Sequence, residues 1–267
     1  MRTIESKRQR HLLPATCAAA LLLCDAHPCF APPPLVTGDV PTADKGTFEW
    51  YVGGLYQDGG SAISRALPFT ELVYGITERW EVSAESIFLS RSGECGIGDT
   101  VLGTKYVVLP ETERRPGVAL SFEAGLPTGD EERGLGAGAP EYEFRARAQK
   151  TFGWFTPIVN VGYTIVEEPS IGGVREERRN TWRASFAQEW EVTKRTKLLS
   201  EIYGKTSDEP GGADRLAAQI GFKHKLSSRL RIHGAVGTSL RDHAKGGPDL
   251  RAYLGMRLDF DAPWMGN

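Results

Sequence analysis

The chain of 267 residues is poor in several things that would announce a function. It has four cysteines. Three of them, Cys17, Cys24 and Cys29, lie in or beside an N-terminal leader, so only Cys95 remains beyond it. A lone cysteine makes no internal disulfide and no multi-cysteine zinc site. The formal net charge is only -2, so no basic stripe announces a nucleic-acid binder. Beyond the leader no apolar run is long enough for a transmembrane helix. His224, His233 and His243 are the histidines there, and they do not cluster with carboxylates or thiols at metal-ligand spacing. No serine sits in a Gly-x-Ser-x-Gly turn, and no local motif joins a nucleophile to a base. The expectation is no enzyme, no catalytic residue, no metal, no bound cofactor and no nucleic-acid partner.

The leader is legible. Arg2, Lys7, Arg8 and Arg10 form a basic start, and "LLPATCAAALLLC" from Leu12 to Cys24 is apolar but too short to span a bilayer. Residues 1–31 read as a cleaved signal peptide, with the cut after Ala26 or Ala31. Residues 32–46 then read as a periplasmic N-terminal segment, 47–260 as the main domain and 261–267 as a C-terminal tail.

The main domain alternates apolar and polar residues at period two, the pattern of strands with two different faces. From Leu250 to Phe260, Leu250, Ala252, Leu254, Met256, Leu258 and Phe260 take one face. Arg251, Tyr253, Gly255, Arg257 and Asp259 take the other. Tyr142, Phe144, Ala146 and Ala148 likewise oppose Glu141, Glu143, Arg145 and Arg147. Gln188 and His224 break the rule by falling on apolar faces. A helix would spread these charges around its whole circumference.

About twelve such segments follow one another, each near the ten-residue length of a tilted membrane strand. They cover 47–57, 66–76, 80–90, 98–109, 117–126, 141–150, 155–166, 180–192, 196–206, 214–225, 229–240 and 249–260. Their connections alternate long and short. "PTGDEERGLGAGAP", "EEPSIGGVREER" and "RDHAKGGP" are long; "TER", "TFGW" and "TKR" are short. This predicts an all-β, antiparallel up-and-down transmembrane barrel with tight periplasmic turns and longer outer loops. Tyr74, Trp80, Tyr106, Trp154, Trp190 and Phe260 gather near the short turns, as an interfacial girdle requires. Arg or Lys facing lipid at mid-bilayer costs roughly 2–4 kcal/mol each, so the charged faces point inward. The predicted lumen-lining residues include Glu71, Glu123, Arg145, Arg147, Arg183, Glu201, Arg231 and Arg251. Their balanced signs fit either a cross-linked ion-pair lattice or a small polar channel.

The stretch "GLPTGDEERGLGAGAPEYEFRARAQK" looks at first like a phosphate cradle. It has no Gly-Lys-Ser/Thr ending, and a strand rather than a helix follows it, so it reads as the longest outer loop.

"LPFTELVYGITERWEVSAES", "GIGDTVLGTKYVV" and "LSFEAGLPTGDEERGLGAGAPEYEFRARAQKTFGWFTPIVNVGYT" together resemble the family of outer-membrane proteins called putative MetA-pathway of phenol degradation. The resemblance runs from about Phe48 onward. It is carried by Glu71 with Tyr74-Gly75, Gly98-Asp99, Leu126-Pro127-Thr128-Gly129-Asp130 and Asn160-Val161-Gly162-Tyr163. It implies a Gram-negative outer-membrane barrel, porin-like, taking up aromatic or other hydrophobic compounds. Its partners would be outer-membrane lipids, the barrel assembly machinery and an unnamed solute. It implies no catalytic or binding residue. One departure is that Phe260 is followed by "DAPWMGN" instead of closing the chain on an aromatic. The expected function is passive uptake of small solutes. The alternatives are a plugged structural or adhesive barrel acting through its loops, and a lipid-modifying barrel enzyme.

Overall fold

The computed structural model describes residues 34–58, 63–91, 93–171, 174–241 and 250–262. The leader, the tail beyond Ala262 and His243 lie outside them. Twelve antiparallel strands close into a barrel. In chain order they are β1 (Thr47–Asp58), β2 (Ile63–Thr77), β3 (Trp80–Arg91), then the short β4 (Glu94–Ile97), which pairs with the end of β3 ahead of β5 (Thr100–Leu109). β6 (Gly117–Leu126), β7 (Glu141–Gln149) and β8 (Phe155–Val166) follow. β9 (Ser170–Ile171) and β10 (Val174–Arg175) form a small separate ribbon. β11 (Thr181–Thr193), β12 (Thr196–Lys205), β13 (Arg215–Lys225), β14 (Leu230–Ser239) and β15 (Leu250–Asp261) complete the wall.

Each wall strand pairs with its sequence neighbour in the wall, and β15 returns to β1 from Thr47↔Asp261 to Asp58↔Leu250. That last pairing removes both open edges, as a membrane barrel must. No helix among the described residues is long and apolar enough to cross a membrane.

The two-residue alternation decides which face is which. Leu102, Leu120, Phe144, Val161, Ile220 and Leu254 lie exposed on the outside. Their strand neighbours Lys105, Ser121, Arg145, Gln219 and Arg251 are buried on the inside. In a bilayer the outer set meets lipid, so the inversion of a soluble protein's pattern is the stable one. Aromatic rings mark the short-turn end. Phe48 stacks between Tyr74 and Phe260 (centroids 4.7 and 5.3 Å), and Phe155 packs against Trp154 and Trp190 (both 6.1 Å).

At the opposite, long-loop end the 127–140 connection folds back onto the mouth. Asp99, just before β5, clasps it. One carboxylate oxygen accepts the Gly129 amide (2.9 Å) and the other the Ala137 amide (2.7 Å). Gly134 (φ 69°) and Gly138 (φ 72°) take left-handed backbone angles that side chains resist. The loop thereby turns Leu135 inward, where it is 1% exposed.

Candidate functional site: the lumen and its occluding segment

The inward faces build a lattice of charges in the lumen. On β7, Glu143 accepts from Arg145 at 2.7 Å, and on the neighbouring strand Glu123 pairs with Arg147 at 3.2 Å and Arg145 at 3.8 Å. Glu189 is held between Lys197 (2.8 Å) and Lys223 (2.7 Å). Arg257 bonds Glu49 and Asp259, and Asp259 also accepts from Arg231 at 2.9 Å. Opposite signs along and between these strands let many of the buried charges meet an opposite one without leaving the wall, which offsets the cost of desolvation.

The sequence-predicted lumen residues fall into different parts of this lattice. Arg145, Arg147 and Glu123 meet in one cluster, and Arg231 joins Asp259 in another. Glu201 and Arg251 are linked through Gln219. Arg251 donates to the amide oxygen of Gln219 at 2.6 Å, and the Gln219 amide nitrogen donates to Glu201. Arg183 lies on the inward face of β11 with a half-buried side chain. Glu71 lines the same small polar space as Glu81, Lys105, Glu123 and Arg147, opposite Glu85, but one of its oxygens has no hydrogen-bond partner.

Residues 32–46 read from sequence as a segment outside the barrel. From Pro34 to Gly46 the chain instead runs against lumenal side chains. The Val36 and Thr37 amides and the Thr37 hydroxyl all donate to Glu201, at 3.0, 2.5 and 2.5 Å. The Val40 amide donates to Gln149 (2.9 Å) and the Ala43 amide to Glu81 (2.6 Å). Lys105 donates to the Pro41 carbonyl (2.6 Å) and pairs with Glu81 (2.9 Å). Wall side chains thus satisfy the backbone of a segment that has no ladder of its own.

Apolar contacts seat the same segment three times over. Leu35 joins Ile158, Ala187, Leu199 and Ala235; Val40 joins Val107 and Ala119; Ala43 joins the cluster of Tyr51, Phe69 and Val73. Gly75 is needed where the segment leaves the lumen. A Cβ there would collide with the Asp44 and Ala43 carbonyl oxygens. Asp39 stands in this segment. Burial pushes its carboxyl up, but Lys105, Lys223, Arg147 and Arg257 outweigh that and hold it below the ordinary aspartate value.

Sequence patterning missed this segment because "PLVTGDVPTADKG" has no period of its own. Its only signal is four small apolar residues, Leu35, Val36, Val40 and Ala43, in a stretch otherwise polar or proline-rich. Patterning also missed the apolar sector of the lumen. Tyr51, Phe69, Ile87, Leu89 and Tyr253 sit inward on β1, β2, β3 and β15, and Leu135 from the folded-back loop closes over them. His233 packs edge-on to Tyr51 (5.8 Å) and beside Tyr253 (5.4 Å), buried on the lumenal face. Among the described residues no group of histidine, cysteine and carboxylate side chains is arranged to hold a metal ion.

No curated protein sequence matches the chain. Among solved structures it is similar to an outer membrane channel from Pseudomonas putida F1. That match has a TM-score of 0.70 at 16% identity, over 84% of this chain and 98% of that one. It is also similar to the KdgM porin solved with disordered oligogalacturonate, with a TM-score of 0.54 at 10% identity, over 80% of this chain and 99% of that one. At these identities the likeness is one of fold, an outer-membrane β-barrel. The model of the family described as putative MetA-pathway of phenol degradation matches residues 37–255, and the chain belongs to that family.

Proposed function

We propose that this protein is an outer-membrane channel for passive uptake of small hydrophobic or aromatic solutes, exported by the leader at residues 1–31. The short turns face the periplasm and the long loops face outward, in line with the aromatic rim at the short-turn end. The observation that carries the proposal is the nature of the lumen's occluder. It is a non-strand segment seated by hydrogen bonds and three small apolar contacts. Such a segment can leave without breaking a rung of the wall. The apolar sector near the long-loop mouth supports an oily cargo, because a purely hydrophilic pore has no use for buried Phe69, Ile87 and Leu89.

Single-channel conductance in planar bilayers, with flux of small aromatic solutes into proteoliposomes, tests this. A folded barrel with neither conductance nor flux sinks it. A second reading, a plugged scaffold acting through its loops, is favoured by the same segment if it never leaves. In that case replacing residues 130–140 abolishes function while flux stays at zero in every variant.

A further inference from the structure

Resting on the channel reading, the lumen carries a feature that narrows the cargo. The apolar sector is interrupted by two acids. On β2, Glu71 sits between Val73 and Phe69 on the inward face; on β3, Glu85 precedes Ile87 and Leu89. Glu71 and Glu85 face each other directly across the β2–β3 ladder. Both are buried, at 7% and 5% exposure, and one oxygen of each, Glu71 Oε2 and Glu85 Oε1, has no hydrogen-bond partner. Among the described residues neither is in an ion pair, in contrast to Glu81, Glu123, Glu143 and Glu189.

The nearby cations already have carboxylate partners, although Arg147 Nε has no hydrogen-bond partner. Lys105 serves Glu81 and the Pro41 carbonyl, and Arg147 serves Glu123 and Ser121. Between the acids and these groups lies a cavity of about 20 Å³, which Ser83 and Thr104 help to line. That is room for one water-sized group. Two uncompensated carboxylate oxygens around such a space call for a compact cation with several donors, because a buried anion without a partner is costly. A primary ammonium has that size and three donors.

The ledge above the acids has the complementary character. Phe69 and Ile87, opposite each other, are one inward step toward the long-loop mouth from Glu71 and Glu85. Ala66 and Leu89 are the next step, and Leu135 of the outer loop lies over them. We propose that this is a binding site for an amphipathic primary amine. Its ammonium enters the cavity between Glu71 and Glu85, and its hydrocarbon tail lies along Phe69, Ile87 and Leu89. Leu135 packs in the tail's place against Phe69, Ile87 and Leu89 and swings out as the tail arrives.

Calorimetric titration of the folded full-length barrel in detergent, with 4-phenylbutylamine and 4-phenylbutanol as probes, tests the site. The two share one tail and differ in the head. The amine is expected to bind about tenfold or more tighter than the alcohol, the worth of a charged hydrogen bond against a neutral one. Glu71→Gln and Glu85→Gln keep the shape of the wall and should erase that difference while leaving alcohol binding unchanged. Leu135→Ala should tighten both probes. Equal affinities for amine and alcohol in the unaltered protein, which need no variant to fold, overturn the site. So does an amine preference that survives both glutamine variants, verified as folded by heat-modifiable gel mobility. Amine selectivity without any conductance would refute the channel reading and leave the site standing.

Discussion

Thr37 and Glu201, 164 residues apart in sequence, meet inside the barrel through two hydrogen bonds, one from the Thr37 amide and one from its hydroxyl. The contact ties the segment before β1 to the opposite wall. Glu201 also accepts the Val36 amide and the Gln219 side chain, so one carboxylate orients four donors.

Glu201→Ala is therefore expected to release the occluding segment while the wall stays intact. Hydrogen bonds to a charged group are worth about 1.5–3 kcal/mol each, and three of those lost here hold the segment. Single-channel recordings should show a conductance several-fold above that of the unaltered protein. Heat-modifiable gel mobility should be unchanged. Conductance equal to the unaltered protein's would mean that the apolar seats of Leu35 and Val40 suffice.

Asp39 gives that segment a pH dependence. Its carboxyl is held below the ordinary value, so the charged form is the one that the docked state favours. The stabilisation is fully present above the ordinary aspartate value of about 3.9 and is lost as pH falls through the lowered one. Conductance should stay level from neutral pH down to that range and rise below it. Asp39→Asn should shrink the rise. An identical acid response in the substituted and unaltered barrels would show that other carboxylates govern it.

Glu143 and Arg145 are nearly inaccessible, each side chain about 1% exposed. Truncating one partner of a buried pair leaves a desolvated charge and costs about 3–5 kcal/mol. Glu143→Ala should accordingly lower the temperature at which the barrel loses its compact gel mobility. Glu94→Ala, whose partner Arg133 is half exposed, should leave that temperature almost unchanged. Equal effects of the two substitutions would refute the lattice as the source of lumenal stability.

Asp99→Ala removes both clasps on the 127–140 loop. Each is worth about 1 kcal/mol once discounted for its partial exposure. The loop should become cleavable near Arg133 by trypsin under conditions that leave the unaltered loop whole. Unchanged cleavage would mean that the burial of Leu135 alone holds the loop down.

Much of the wall was legible in the sequence. The segments expected at 117–126, 141–150 and 155–166 match β6, β7 and β8 to within a residue. The reason is elementary. Leu120 and Phe144 must meet lipid while Ser121 and Arg145 must not, and only a strand separates neighbours by half a turn. Asp99 was legible only as part of a motif; its role as a clasp depends on Gly129 and Ala137, about thirty and forty positions on. The acid pair was half legible. Glu71 stood out as inward, but its confrontation with Glu85 follows from the β2–β3 register, which shifts between Gly75 and Thr77 beside the short turn and cannot be counted from residue spacing alone.

The sequence by itself determined a wall of about twelve strands, its inside-out polarity and the alternation of short and long connections. Those are properties of neighbours along the chain, and the bilayer imposes them one residue at a time. What fills the wall was decided only by tertiary structure. Thr37 reaching Glu201, Leu135 closing over Phe69 and Ile87, and Glu71 lying opposite Glu85 are contacts across the lumen or between strands. Their energies depend on register, curvature and the burial of a segment with no period to read.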